Sequence, residues 1–417
     1  MNVSQDTVRI SAIAAGGDGV ARMDDGRVLF VPRTAPGDLV ELRNVRFKTS
    51  FGRGAVGRMV EPSPDRVEPP CRHYVADDCG GCVLQHVSYD AQIAVKGRFV
   101  RDALERIAKS AVPPFDVVPN PRPLGWRTRL ALSVDVRSGA MGLRRLDRPG
   151  EVFDLVSCEI ASPGIRRLWT VLRGAKDLLP RGASRVTLRE DRTGGLHVVL
   201  QHEADWTRAA DVDATLTKAG VRATLWVQPE GRAPRLAVNA MLTQAARDSA
   251  SVMAFEQVDP AMGDVVRAHA LAALGDVNGR AVWDLYAGIG ETTVALLAAG
   301  ASVESVESDA SGVAEARRRG PAQRVTRHAA RVEDVVGKLH DPALVIANPP
   351  RAGLGPAVVD AILERSAARI VYVSCDPATL ARDVARLSTR FRIGALRAFD
   401  SFPQTAHVET VATLDAL

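Results

Sequence analysis

Four short strand-like runs punctuate the C-terminal third of the chain, and each ends in residues fit for chemistry. Ala281-Val282-Trp283-Asp284-Leu285 runs into the Gly-rich turn Tyr286-Ala287-Gly288-Ile289-Gly290. Ser302 to Val306 ends in Glu307, Ala343 to Ala347 in Asn348-Pro349-Pro350-Arg351, and Ile370 to Val373 in Ser374-Cys375-Asp376-Pro377. Ile370 to Val373, apolar and β-branched, reads as a buried strand, and the other three runs also read as strands. Helical stretches follow at Thr292 to Ala299 and at Ala378 to Leu387. Asp376 suits the N-cap of the second, and Pro377 its first turn. Strands alternating with helices demand an α/β fold with a largely parallel sheet. Ligands in such sheets bind beyond the carboxyl ends of the strands. The segment Asp284 to Gly290, Glu307, Asn348 and Cys375 are therefore expected along one edge.

Each of these groups has a chemical reading. Gly288 and Gly290 let the backbone approach a ligand, and Glu307 at the end of the second strand can bind a ribose diol. With only one Gly-x-Gly, the dinucleotide fingerprint is incomplete. D-x-x-x-G-x-G with an acid after the second strand is instead the pattern of S-adenosylmethionine methyltransferases. Cys375 sits at a helix N-terminus, where a thiolate is favoured, although Asp376 opposes this. A lone cysteine is more often a structural one, and its neighbours along the sheet edge make Cys375 a candidate nucleophile. Glu409 lies in Val408-Glu409-Thr410-Val411, where alternation puts His407, Glu409 and Val411 on one strand face.

Upstream, 417 residues leave room for two or three domains. Residues 1–60 read as several short strands joined by Gly-rich turns, a five-stranded barrel of the oligonucleotide-binding kind. Arg43, Arg46, Lys48, Arg53 and Arg58 lie there among Phe47 and Phe51, a pattern that can hold single-stranded RNA. The net charge of +5, carried largely by arginine, is permissive of such a partner. After a Pro-rich linker come Cys71, Cys79 and Cys82, with Cys158 far downstream. Four thiols fit zinc, an iron–sulfur cluster or no ligand at all. The Gly80-Gly81 pair would let the backbone close around a bulky cluster. A helix over 89–110 places Ile93, Val100, Leu104 and Ile107 on one face that needs a partner. Residues 116–255 alternate strands and helices and carry Arg127, Arg129, Arg144 and Arg145, candidate phosphate contacts. No run reaches a membrane span of ~18 residues. Five cysteines without a secretion signal argue for the cytoplasm.

Nearly the whole chain resembles the RNA uracil-5-methyltransferase family, specifically its iron–sulfur 23S rRNA type. The resemblance rests on Ser374-Cys375-Asp376-Pro377-Ala378-Thr379-Leu380, on Phe402-Pro403-Gln404-Thr405-Ala406-His407-Val408-Glu409 and on Phe255-Glu256-Gln257-Val258-Asp259. Residues 1–60 resemble a TRAM domain. The resemblance implies that Cys71, Cys79, Cys82 and Cys158 ligate a [4Fe–4S] cluster. It also implies that Cys375 is the nucleophile and Glu409 the base. Gln257, Tyr286, Gly288, Glu307 and Asn348 would then serve S-adenosylmethionine and the target base, with Phe255 a candidate to stack on a base. Asn348 stands where the family has Asp, and Gln404 where it has His. The expected protein is a cytoplasmic monomer in three parts: an OB-like TRAM barrel (1–60), a mixed α+β iron–sulfur domain (61–255) and a Rossmann-like class I methyltransferase domain (256–417). Its expected partner is 23S rRNA, with no membrane. Methylation of tRNA uridine-54 is the nearest alternative. Amino-group methylation at Asn348-Pro349-Pro350 would leave Cys375 without a task, and an inactive RNA-binding protein would do the same for Glu409.

Overall fold

The computed structural model describes residues 7–23, 25–238, 257–320 and 323–417, and three sheets organise them. The first contains β1 (Thr7–Arg9), β2 (Ala12–Ile13), β3 (Gly19–Arg22), β4 (Val28–Val31), β5 (Leu39–Phe47) and β6 (Phe51–Glu61), in the order β1-β5-β6-β4-β3-β2. Six strands appear where the sequence suggested five, because the run from Val8 to Ala14 divides. Ile10 N–H donates to Asp38 O at 2.9 Å and Ser11 N–H to Val20 O at 2.8 Å, so the chain changes partner strand at this point. That change joins the two ends of the sheet and closes it around Ile10, Leu29, Val31 and Val40.

Helix α1 (Arg72–Ala76) and helix α2 (Tyr89–Ala103) follow, then β7 (Val117–Val118). The expected helix to Ser110 does not run regularly. Residues Leu104–Ala108 widen into a π-helical turn that ends at Lys109 with φ 51°. Ile107 is thereby 45% exposed, while Val100 and Leu104 stay buried.

The second sheet holds β8 (Arg129–Val134), β9 (Met141–Gly142), β10 (Arg185–Glu190), β11 (Leu196–Gln201), β12 (Ala223–Gln228) and β13 (Arg235–Val238), in the order β13-β12-β11-β10-β8-β9. Helices α3 (Pro163–Gly174) and α4 (Ala209–Lys218) cover it through Leu168, Trp169, Val212 and Leu216. Ser162 caps α3, accepting from Ile165 N–H at 3.2 Å. Cys71, Cys79, Cys82 and Cys158 are buried in the same core.

The third sheet takes β14 (Ala281–Leu285), β15 (Ser302–Glu307), β16 (Val325–Ala329), β17 (Leu344–Ala347), β18 (Arg369–Ser374), β19 (Phe391–Phe399) and β20 (Glu409–Ala416). Its helices are α5 (Pro260–Leu274), α6 (Glu291–Ala298), α7 (Ala310–Arg319), α8 (Val332–Val335), α9 (Pro356–Glu364) and α10 (Pro377–Leu387). The order is β16-β15-β14-β17-β18-β20-β19-β7. Strands β14 to β18 are parallel, and β20 runs antiparallel between β18 and β19. Strand order reverses at β14, with β15 on one side and β17 on the other, which opens a crevice at their carboxyl ends. The last strand is β7, which pairs parallel with β19 although the whole central sheet separates them in sequence. Helix α2 and its π-helical turn pack on α10. The segment from α2 to β7 is thus built into the layer of the third sheet, and the second sheet is an excursion from it.

Candidate active site

The crevice is built from local chemistry. Tyr286 (φ 62°), Gly288 (φ 55°) and Gly290 (φ 78°) turn the chain sharply after β14. A Cβ at Gly290 would stand 2.6 Å from Ala316 Cβ, so α6 and α7 can approach only with glycine there. Glu307, at the end of β15, accepts from Gly288 N–H at 2.9 Å and from Asp309 N–H at 2.7 Å. One carboxylate thus ties the Gly-rich turn to the neighbouring strand end. Beneath it Asp284 is buried, and its carboxyl is pushed up to about 6 by burial, against the Thr293 hydroxyl bonded to it.

Cys375 follows β18 at the mouth of α10. Asp376 caps that helix, its Oδ1 accepting from Thr379 N–H at 2.9 Å. Burial pushes the Cys375 thiol up and Glu409 pushes it further, while Arg351 opposes both. Asp376 also opposes a thiolate, as its place beside Cys375 in the sequence suggests. Glu409 opens β20 and is 2% exposed. Burial alone pushes its carboxyl up to about 7. Among the described residues no hydrogen bond or ion pair reaches it. His407 lies before β20, in the loop, so it does not share a strand face with Glu409 as alternation suggested. Its Nε2 accepts from Arg351 Nη2 at 3.3 Å.

The loop leading to Glu409 is held from α2. Lys96 and Asp400, both completely buried, pair at 2.5 Å. Lys96 Nζ also donates to Phe402 O at 3.0 Å, and Tyr89 OH to Asp400 Oδ2 at 2.9 Å. Gln404, at φ 69°, accepts from Gln92 Nε2 at 3.0 Å through its side chain. Its backbone carbonyl accepts from Val83 N–H at 3.0 Å and Leu84 N–H at 3.1 Å, directly after Cys82. The loop leading to Glu409 is therefore clamped to the cysteine segment.

One cavity of about 1310 Å³ takes in Gln257, Tyr286, Gly288, Glu307, Asn348, Cys375 and Glu409. A second, of about 120 Å³, is lined by Cys71, Cys79, Cys82 and Cys158. All four of these cysteines are free thiols, and Gly81 N–H donates to Cys79 Sγ at 3.4 Å. A Cβ at Gly80 would meet Arg144 O at 3.2 Å, so the loop closes tightly there. Among the described residues no three His, Cys, Asp or Glu side chains converge on a position for a single metal ion. Arg127 and Gly81 line both cavities. Phe255 and Glu256 lie outside the described residues. Sequence reasoning missed Lys96, Gln92, Arg127 as a shared wall, and Arg351. A lysine set among apolar residues on the packed face of α2 was the one local sign of the first.

A class I methyltransferase layer that carries a cysteine and a buried carboxyl in its cofactor crevice, behind a small barrel, defines an RNA-modifying methyltransferase. Comparison with known proteins agrees. Residues 1–56 match the TRAM domain family, and residues 315–416 the family described as tRNA (Uracil-5-)-methyltransferase. An RNA methyltransferase of Nitratidesulfovibrio vulgaris is 33% identical over 98% of this chain and 95% of its own. One from Gloeobacter violaceus is 34% identical over 98% and 96%. The tRNA (uracil-54, C5)-methyltransferase of Pyrococcus abyssi, solved with S-adenosyl-L-homocysteine, shares the fold at a TM-score of 0.72, with 24% identity over 98% of this chain and all of that one. The chain belongs to the S-adenosylmethionine-dependent RNA uracil-5-methyltransferase family. No helix among the described residues is long and apolar enough to cross a membrane.

Proposed function

We propose that the protein methylates C5 of a uridine in 23S rRNA through a covalent bond between Cys375 and C6. The observation that carries this reading is Glu409: a carboxyl without a hydrogen-bond or ion-pair partner among the described residues, pushed up to about 7, in the same cavity as the one cysteine outside the thiol cluster. C5 of uracil is a poor nucleophile. Addition of the Cys375 thiolate to C6 makes C5 enolate-like. Bound S-adenosylmethionine would supply the electrophilic methyl group that C5 takes, its ribose held at Glu307 and Gly288. Glu409 then removes the C5 proton, and the pair from that C–H bond expels the Cys375 thiolate. The base must leave its stack to reach this cavity. Gln257, Tyr286 and Asn348 are placed to receive it or the cofactor.

The cysteine cavity favours the rRNA reading, because it matches the iron–sulfur type that the sequence resembles. A tetrahedral zinc needs every sulfur at about 2.3 Å from one ion. Four sulfurs around a shared cavity could each give one thiolate to an iron of a cluster. Such a cluster would cross-link α1, the Cys79–Cys82 loop and the Cys158 turn. Anaerobically purified protein is expected to be brown and to carry iron. Cys79→Ser or Cys158→Ser should bleach it, and Cys375→Ser should not. Zinc in one-to-one amount in place of iron would sink the cluster assignment. The alternative RNA, tRNA at uridine-54, has the family description and the fold of the archaeal tRNA enzyme in its favour. Mass mapping of methylated uridines in rRNA and tRNA from a deletion strain decides. A site lost from 23S rRNA supports the proposal, and one lost only from tRNA overturns it.

A further inference from the structure

The loop that leaves β17, Asn348 to Leu354, carries a cation that the proposed reaction has not used. This loop is latched onto α10 at three points. Thr379 Oγ1 donates to Arg351 O at 3.0 Å, Arg382 Nη2 to Ala352 O at 2.7 Å, and Leu354 N–H to Asp383 Oδ2 at 2.8 Å. Asp383 is completely buried and also accepts from Tyr372 OH at 2.8 Å. Gly353, at φ 76°, lies so close that a Cβ there would stand 2.3 Å from Asp383 Oδ2. Helix α10 therefore fixes two things at once: Cys375 at its N-terminus and the backbone of Arg351 beside it.

The Arg351 side chain turns into the large cavity. It lines that cavity together with Cys375 and donates to His407 Nε2 at 3.3 Å, and its charge favours the Cys375 thiolate. Among the described residues no carboxylate pairs with it, although arginines elsewhere in this protein commonly have acid partners. The other charged or titratable groups around Cys375 are Glu409 from β20, Asp376 from its own turn and His407 from the loop before β20. The two carboxyls disfavour a thiolate. Burial and Arg351 hold His407 toward its neutral form, so it accepts from the guanidinium and aims it.

We infer that Arg351 is a catalytic residue whose guanidinium stabilises the Cys375 thiolate, with His407 as its positioning residue. The thiol proton leaves to water in the open cleft, and the sulfur keeps the pair. That pair forms the S–C6 bond and returns to sulfur, facing Arg351 again, when the bond breaks. A nearby fixed cation favours the ionised form of a thiol. The inference deepens the proposed mechanism and rests on Cys375 as its nucleophile.

The test is the pH profile of Cys375 alkylation by iodoacetamide in the full-length protein without RNA, followed by mass measurement of the Cys375 peptide. Arg351→Gln should move the midpoint up by about one pH unit, slowing alkylation at pH 7 about tenfold. Arg351→Lys keeps a charge and should titrate between wild type and Arg351→Gln. His407→Ala leaves the latch to α10 intact and should move the midpoint upward by less, which keeps the test open if Arg351→Gln folds poorly. With RNA, the Gln variant should lose kcat at little change in KM, since a mere phosphate contact would raise KM instead. Wild-type midpoints in Arg351→Gln or His407→Ala overturn the inference, as does an Arg351→Lys profile equal to that of Arg351→Gln. Alkylation needs no turnover, so failure here is read separately from failure of the uridine reaction.

Discussion

Glu409→Gln should leave the enzyme covalently joined to its RNA. In the proposed mechanism Cys375 acts before methyl transfer and Glu409 only after it. Without a base, the C5 proton stays and the S–C6 bond cannot break. Loss of a general base costs about 10²–10⁴-fold, slow enough for the adduct to survive a denaturing gel. With labelled S-adenosylmethionine the shifted band should carry label, and it should vanish in the Cys375→Ala, Glu409→Gln double variant. Cys375→Ala alone should abolish activity and form no adduct. Normal turnover by Glu409→Gln would reassign the base, with His407 next in line. The carboxyl at about 7 adds a pH signature. A base must be ionised, so the elimination rate should rise with pH and level off above neutrality. Stability should run the other way. The folded pKa lies above the ordinary carboxyl value of 4.5, so between the two the folded state binds more protons than the unfolded one. Stability therefore falls as pH rises through that window. Gln has nothing to ionise, so Glu409→Gln should melt no lower than wild type above neutrality.

Lys96→Met should be among the most damaging changes outside the reacting groups. Lys96 and Asp400 are both 0% exposed and pair at 2.5 Å. Removing one partner strands a buried carboxylate, which typically costs about 3–5 kcal/mol. Tyr89 OH still reaches Asp400, but a neutral donor does not replace a cation. The loop from Asp400 to His407 should loosen with it, so kcat should fall even where the protein stays folded. Lys96→Met combined with Asp400→Leu should recover much of the lost stability, because no charge is then left unpaired. Equilibrium unfolding in urea measures both. A cost below about 1 kcal/mol for Lys96→Met would place the pair among ordinary surface bridges and remove it as the strut of the catalytic loop.

The four strands of the catalytic layer were legible because their signals are local. Short strand-like runs, a Gly-rich turn, and an Asp-Pro helix start each lie within ten residues, and each strand end carries its functional group with it. Asp376 caps α10 as its sequence position suggests. The barrel was legible for the same reason, except where one strand serves two partners: nothing in Val8 to Ala14 says that Ile10 will turn to Asp38 while Ser11 turns to Val20. Helix α2 was visible, but its irregular end was not, because a π-helical turn is set by what it packs on rather than by its own side chains.

By itself the sequence determined the α/β order, the residues at each strand end and the set of four buried-type cysteines, since these follow from periodicity and turn chemistry along the chain. Only the tertiary structure decided how those parts act together. Lys96 finds Asp400 at a separation of 304 residues, and β7 joins β19 across the whole central sheet. Arg351 and Cys375 share one cavity because one helix holds both. The pKa of Glu409 depends on burial, and burial belongs to the packed layers rather than to any one stretch. Such properties arise from groups that no periodicity links, and they exist only once the chain has closed on itself.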